Sequence, residues 1–334
     1  MEEDSDYIAD ANTPLRAGNE SFWEEGNTSF KFDRTREEFN SSITSEESSI
    51  ETHANINAIR EQMPLKSDID FEGCDDEMLL RYLRARGHNV VAAFALLCSH
   101  IEFHKNNPEL LKGLNAFELR YILEDGFPCV LPYMDPVGST IMVLFPGMWD
   151  TDTFSPDTLL QALMLTLMHL SESLTVQSRG VVLLVDFSEW TSTQAAYLNI
   201  KYIKKIVTIF ENCYPVVFKS VHLINQPWYI SALISFLRPF LTGKVKDRVF
   251  LHGNNLTTLH DHIPPESLPS QFGGDRCEVD QSYWAKVLLE ADKRKVKLKR
   301  QESVIRFGTN PLKSTGNPNK VDSDESEPLL LDED

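Results

Sequence analysis

Residues 180–187 read Gly-Val-Val-Leu-Leu-Val-Asp-Phe, a nearly continuous apolar run that is rich in β-branched valine. Such a run is typical of a strand buried on both faces, which occurs mainly in parallel sheets. Two further runs of this kind follow, SVHLIN at 220–225 and RVFLHG at 248–253. The three segments predict neighbouring strands of one mostly parallel sheet.

Helical patterns lie between these strands, at about 194–212 and 229–241. Upstream, Ser155 is a good helix cap and is followed by proline and an acidic residue, which predicts a helix over about 155–174. Two strand-like runs, PCVLPYMD and STIMVLFPG, meet at a turn over 135–138. Because strands and helices alternate from 127 to 253, we predict an α/β domain in which helices flank the sheet.

A separate helical pattern precedes this domain. Asp75 is placed to cap a helix over 77–86 that ends at Gly87, and Asn89 is placed to begin a second helix over 90–104. With shorter helical segments near 108–113 and 115–124, these predict a small all-α module.

The ends of the chain carry most of its charge. The formal net charge is −18, of which −9 falls in residues 1–50 and −6 in residues 316–334. This acidity excludes broad binding to nucleic acids, which needs a basic surface. Composition therefore predicts the following organisation: a disordered acidic tail over 1–50, a helical module over 51–118, an α/β domain over 119–277, a terminal helix over 278–300 and a second disordered acidic tail over 301–334.

The sequence shows no sign of secretion, metal binding or catalysis. Its five cysteines are scattered without CxxC spacing, and the first residues do not resemble a signal peptide. The longest apolar stretch, near 159–170, is short of the ~20 residues of a spanning helix, so we expect a soluble, cytoplasmic protein. No nucleophile elbow, phosphate loop or zinc-protease motif occurs, so we expect neither enzymatic activity nor a cofactor. We expect His222 and His252 to be hydrogen-bonded core residues, and His260 and His262 to lie in a surface loop.

Residues 229–241, YISALISFLRPFL, form an unusual helical segment. Ser231, Ser235 and Arg238 share one narrow stripe, and the rest of the circumference is apolar. The pattern leaves two interpretations open: a fully buried helix, or a helix that covers an apolar ligand on one face and meets a bilayer with the other. The cations Lys244 and Arg248 follow it at i and i+4, which suits an anionic membrane surface.

Several long segments, in the same order, resemble the CRAL-TRIO lipid-binding family. They are LLRYLRARG at 79–87, VVLLVDFSEWT at 181–191, YPVVFKSVHLINQPWYI at 214–230, FLRPFLTGKVKDRVFLHGNN at 236–255 and LPSQFGGD at 268–275. The resemblance covers about residues 55–290 and is strongest to the branch of the clavesins, the α-tocopherol transfer protein and the cellular retinaldehyde-binding protein.

The resemblance implies an α/β domain that encloses an apolar cavity, closed by a mobile lid helix at 229–241. It implies a non-enzymatic carrier of a retinoid, a tocopherol-like molecule or another lipid. By the family register, the cavity is expected to be lined by Val185, Leu198, Ile206, Ile209, Phe210, Tyr214, Val221, Leu233 and Phe236.

The resemblance also implies a basic cleft for phosphatidylinositol phosphates on a membrane surface. The matching positions are Arg86, Lys219, Lys244 and Arg248, while one further basic position of the cleft is Val217 in this chain. That change leaves the headgroup preference open. We expect Lys244 and Arg248 to lie outside the cavity lining.

The C-terminal tail suggests a second class of function. Residues 325–330, ESEPLL, fit an acidic-dileucine motif in which Glu325, Leu329 and Leu330 would engage a clathrin adaptor. The alternative to a carrier is therefore a phosphoinositide-sensing scaffold in endosomal or clathrin vesicle traffic. Both functions imply a cytoplasmic protein associated peripherally with endosomal or other internal membranes.

Overall fold

The computed structural model of the chain describes residues 49–237 and 246–308. Its centre is a five-stranded sheet in the order β1-β2-β3-β4-β5, in which β1 is antiparallel to β2 and the other neighbours are parallel. The strands are β1 Cys129–Met134, β2 Thr140–Leu144, β3 Val181–Asp186, β4 Phe218–Ile224 and β5 Val249–Gly253. The predicted α/β fold with a mostly parallel sheet and flanking helices is confirmed.

The α-helices lie mainly where the apolar spacing predicts them. They are α1 Ser49–Gln62, α2 Asp76–Ala85, α3 Val90–Asn106, α4 Arg120–Glu124, α5 Pro156–Ser171, α6 Leu174–Arg179, α7 Ser192–Ala195, α8 Ile200–Asn212, α9 Trp228–Leu237, α10 Leu256–His260 and α11 Tyr283–Gly308. Short 3-10 helices occupy 63–65, 108–111, 146–148, 246–248, 265–267 and 270–272. None of the described helices combines the length and the apolar character needed to cross a bilayer.

The side chains of the central strands alternate between two apolar layers. On one face, Leu183 of β3 packs with α5 and α8. On the other, Val182 and Leu184 pack against Leu259 and Phe272 of the C-terminal segment. Sequential strand order with right-handed crossovers places all the crossover helices on a single face of the sheet. The two faces are therefore covered by different parts of the chain.

Gly180 brings β3 and β4 into close contact. Its φ is +78°, and a Cβ at this position would lie 2.5 Å from the carbonyl oxygen of Val217. The amide of Val181 donates to that same carbonyl at 2.9 Å. A glycine is thus required both for the backbone conformation and for the space at the start of β3.

The helical module has an apolar core of its own, formed by α1, α2 and α3 around the fully buried Leu79 and Leu83. The predicted caps are confirmed, since Asp75 Oδ1 accepts from Met78 N at 2.7 Å and Asn89 Oδ1 accepts from Ala92 N at 2.9 Å. Arg84 Nη1 donates to Gln177 Oε1 at 2.8 Å, which ties the module to α6.

One predicted helix is shorter than expected and another is divided. The helix predicted over 155–174 ends at Ser171, and Ser173 then caps the separate helix α6 by accepting from the amide of Val176. The segment predicted as 194–212 forms α7 and α8, because Asn199 Oδ1 accepts from Tyr202 N and starts α8. Backbone contacts divide the chain into two compact units, Met1–Asp292 and Lys293–Asp334. The domain boundaries that the sequence predicts remain predictions.

Candidate functional site

An apolar cavity of about 870 Å³ lies between the sheet and the helices α3, α5, α8 and α9. This volume is within the range of about 300–1,000 Å³ that is usual for small-molecule sites. Its strand wall consists of Leu144, Leu183, Val185, Val221, Leu223 and Val249. Because these residues alternate along buried strands, the cavity wall is part of the sheet itself and needs no irregular backbone.

The amphipathic helix α8 forms the opposite wall with its apolar face. The lining side chains recur at helical spacing: Tyr202, Ile203, Ile206, Val207 and Phe210. The hydroxyl of Tyr202 donates to the Pro156 carbonyl at 2.9 Å, so the polar tip of this side chain is already paired. Phe210 packs edge-on against Phe218 of β4, with ring centroids 5.0 Å apart. The wall therefore presents hydrocarbon and aromatic surface to the cavity.

Helix α9 covers the cavity and is apolar on two sides, as the segment 229–241 suggested. Ile230, Leu233 and Ile234 line the cavity. Trp228, at the start of the helix, is 81% exposed on the outside. Within the segment itself Ala232 and Ser235 are exposed, which excludes the fully buried alternative for its described part and leaves a helix with one side toward the cavity.

The nine side chains predicted to line a ligand cavity fall into three groups. Six of them do line the cavity: Val185, Leu198, Ile206, Phe210, Val221 and Leu233. Ile209 and Tyr214 lie instead in the packed core, where Ile209 is fully buried and Tyr214 contacts His100 and His104 of α3. The side chain of Phe236 lies outside the described residues. Contact of any of these residues with a ligand remains a prediction.

The cavity also has a charged margin, which contains two of the four predicted phosphoinositide ligands. Arg86 and Arg248 both line the cavity. Arg86 Nη2 donates to the carbonyl of Glu211 at 2.9 Å, and Arg248 Nη1 donates to the carbonyl of Phe218 at 3.1 Å. Burial lowers the pKa of the Arg86 guanidinium, and the Glu211 carboxylate opposes that change. Arg86 is thus attached to the last turn of α8 and Arg248 to the start of β4.

The expectation that Arg248 lies outside the cavity lining is wrong. Arg248 ends the 3-10 helix that precedes β5, and this position turns its side chain toward Phe218 at the cavity margin. Val217, which replaces a basic residue of the family cleft, also lines the cavity.

Of the other two predicted phosphoinositide ligands, the structure describes only Lys219. Lys219 is exposed and is not among the lining residues. A Cβ added at Gly180 would lie 3.0 Å from Cε of this side chain, so Lys219 runs along the start of β3. Lys244 lies outside the described residues. A role for either lysine in membrane binding remains a prediction.

A further part of the lining comes from the helical module and from α5, and no sequence pattern marked these residues as a cavity wall. The residues of α3 are Ala92, Ala95, Leu96 and Ser99, and those of α5 are Leu159, Leu160 and Leu163. Small side chains at helical spacing on α3 were the only available signal. Because such spacing is equally typical of ordinary helix packing, it could not identify a cavity wall.

The histidines of the strands are paired, as predicted. His222 Nδ1 lies 3.0 Å from His252 Nε2, and His222 Nε2 lies 2.8 Å from Ser220 Oγ. Burial and the neighbouring His252 and His262 lower the pKa of His222 to about 3. His222 alternates with Val221 and Leu223 along β4, so it projects from the face of the sheet opposite to the cavity.

Comparison with known proteins identifies the family. A family model described as the CRAL/TRIO domain matches residues 124–274. The chain is 38% identical to clavesin-2 of Rattus norvegicus and of Homo sapiens over 240 residues, which is 71% of this chain and 73% of each relative. It is also 38% identical to clavesin-1 of Xenopus laevis over 242 residues, covering 72% of this chain and 73% of the relative.

Among solved structures, one described as the crystal structure of Sfh5 is 12% identical, with a TM-score of 0.43, and covers 82% of this chain and 99% of that chain. Such a distant likeness adds no argument. The identity to the clavesins, the matched domain and the apolar cavity behind a parallel sheet agree with one another. The chain therefore belongs to the CRAL-TRIO family of lipid-binding and lipid-transfer proteins, in the clavesin branch.

Proposed function

We propose that this protein is a non-enzymatic carrier that shields one hydrophobic molecule in its cavity and transfers it between membranes. The observation that carries the proposal is the cavity of about 870 Å³, whose wall is made of strand and helix side chains that are almost all apolar. A retinoid, a tocopherol-like molecule or another lipid gains about 25 cal/mol for each Å² of apolar surface that it buries there. Such a gain suffices for retention in water.

Release of the ligand requires α9 to move. Its inner side chains contact the cavity, so opening the helix in water would expose apolar surface at a cost. A bilayer removes that cost, because the inner side chains and the exposed Trp228 would both enter an apolar environment. We propose that membrane contact favours the open position of the helix and so couples docking to release.

Docking would rest on cations at the cavity margin and beside it. Arg86 and Arg248 line the margin, while Lys219 is exposed on β4. We propose that these residues, together with Lys244, attract the phosphates of phosphatidylinositol phosphates, because several cations that converge on phosphate add charge-assisted hydrogen bonds to a screened Coulomb attraction.

The experiment compares two double variants that remove the same charge from different places. Lys219→Ala with Lys244→Ala should weaken binding to phosphoinositide-containing liposomes by roughly thirtyfold, from about 1 kcal/mol for each lysine near an anionic surface. Lys66→Ala with Lys112→Ala, which alters two exposed lysines of the helical region, should bind as wild type does. Co-sedimentation at low salt measures binding, and transfer of fluorescent tocopherol between liposomes measures release.

Equal sedimentation of the two double variants would show that this cleft is not the docking surface. Arg248→Ala requires a separate measurement of cargo affinity in solution, because Arg248 lines the cavity. Its loss would change the cavity wall as well as the proposed docking surface.

The second candidate is a phosphoinositide-sensing scaffold in endosomal or clathrin vesicle traffic. It is supported by the two arginines at the cavity margin and by the acidic-dileucine residues Glu325, Leu329 and Leu330. Liposome binding without uptake of any apolar cargo would favour the scaffold over the carrier. For both candidates we propose peripheral attachment to endosomal or other internal membranes from the cytoplasm, with no catalysis.

A further inference from the structure

A cluster of two histidines and one cysteine lies where the helical module meets the α/β domain. His100 and His104 are one turn apart on α3, so both imidazoles project from the same face. Cys213 caps the C-terminus of α8. One ring nitrogen of each histidine and the sulfur of Cys213 all lie within 4.8 Å of one another. The two imidazole centroids are only 4.1 Å apart.

This set of donors suits zinc. Two imidazole nitrogens and a thiolate bind Zn²⁺ at about 2.0–2.1 Å and about 2.3 Å, which places neighbouring donor atoms about 3.5 Å apart in a tetrahedron. One donor atom of each residue lies within 4.8 Å of the others, so rotation of the side chains would have to bring them to this tetrahedral spacing. A water molecule would supply the fourth ligand.

The hydrogen bonds of the cluster favour a form that coordinates metal. His100 Nδ1 lies 2.7 Å from the carbonyl oxygen of Cys213, and because a carbonyl only accepts, Nδ1 carries the proton. Histidines that bind metal commonly donate their second N–H in this way, with the other nitrogen left as the ligand. Coordination through Nδ1 instead would exchange this hydrogen bond for the metal bond.

The thiol opposes binding. The thiol is buried and must give up its proton to the solvent when the metal binds. The two histidines are only partly buried.

We propose that His100, His104 and Cys213 form a binding site for Zn²⁺ that joins α3 to the end of α8 beside the cavity. Ser99 and Asn212, each adjacent in sequence to a member of the cluster, line the cavity. A bound metal would therefore link two walls of the cavity that belong to different parts of the fold.

The test uses the full-length reduced protein, freed of metal with a chelator and titrated with Co²⁺ as a spectroscopic substitute for zinc. We expect one equivalent to give the visible bands of tetrahedral cobalt and a near-ultraviolet thiolate-to-cobalt band, both abolished by one equivalent of Zn²⁺. Cys213→Ser should lose the thiolate band, and His104→Gln should weaken Co²⁺ binding by at least about tenfold. Cys98→Ser and Cys277→Ser are matched controls that should keep the wild-type spectrum.

A thermal melt of each metal-free variant shows whether it folds. If Cys213→Ser does not fold, His104→Gln alone decides, because it leaves the buried thiol in place. Absence of a thiolate band in the folded wild-type protein, or its persistence in folded Cys213→Ser, would overturn the proposal. An unchanged Co²⁺ affinity in folded His104→Gln would overturn it equally.

Discussion

Replacement of Leu233 by aspartate tests whether the inner face of α9 contacts a ligand. Leu233 is half-buried and lines the cavity, whereas Ala232, one residue earlier on the same helix, is exposed. Ala232→Asp therefore adds the same charge to the same helix on its outer side. The pair separates an effect on the cavity from an effect on the helix.

The expected loss follows from burial. Leu233→Asp removes apolar contact worth about 2 kcal/mol, and it places a carboxyl group against an apolar ligand without a designed partner. The carboxyl can limit the second cost by taking up a proton, so we expect a total of about 3 kcal/mol, or roughly a hundredfold loss of affinity. Because Leu233 is half-exposed to begin with, the midpoint of thermal unfolding should change little.

Fluorescence titration with retinol and with a fluorescent tocopherol analogue measures the affinity, and a melting curve on the same preparation measures stability. Ala232→Asp should retain the wild-type affinity within about threefold. Equal affinities of the two variants would refute the assignment of α9 as a wall of the ligand site. A collapsed melting transition confined to Leu233→Asp would show that this residue is ordinary core.

Two other predictions concern stability. Because burial holds the folded-state pKa of His222 near 3, below the unfolded value of about 6.5, the unfolded chain binds more protons in acid. The contribution of His222 to the free energy of unfolding is therefore fully present above pH 6.5 and should fall by about 2 kcal/mol by pH 5. Chemical unfolding at several pH values should show a weaker dependence on pH in this range for His222→Gln than for the wild type. Removal of residues 1–48, which are acidic and rich in serine, should leave the melting temperature and the cargo affinity unchanged. A drop of many degrees in the melting temperature would show that aromatic residues of this segment pack on the core.

The order and type of the elements could be predicted because the decisive signals are local. The apolar run at 181–185 has to be a buried central strand, and the capping residues Asp75 and Asn89 begin the helices that they were expected to begin. The division of the segment 194–212 depends on a cap at Asn199 that competes with a continuous helical pattern. Tertiary packing decides whether the helix continues through Asn199 or starts again there, and the apolar periodicity of the sequence holds no information about that packing.

The site was predictable only in part, for a physical reason. A side chain that lines a cavity and one that fills a core have the same apolar character, so Ile206 and Ile209 are alike in sequence. Only the rotation of α8 against the sheet separates them, with Ile206 at the cavity and Ile209 fully buried beside it. Arg248 shows the same limit, since its charge suggested the membrane while its hydrogen bond to Phe218 holds it at the cavity margin.

Native mass spectrometry of the full-length protein, before and after incubation with a total lipid extract, tests the central claim most directly. The cavity of about 870 Å³ predicts one bound apolar molecule per chain, which organic solvent should release for identification. The same bound mass should be absent from Leu233→Asp and present in Ala232→Asp. A wild-type chain that keeps its bare mass throughout, with no lipid in the solvent extract, would contradict the account.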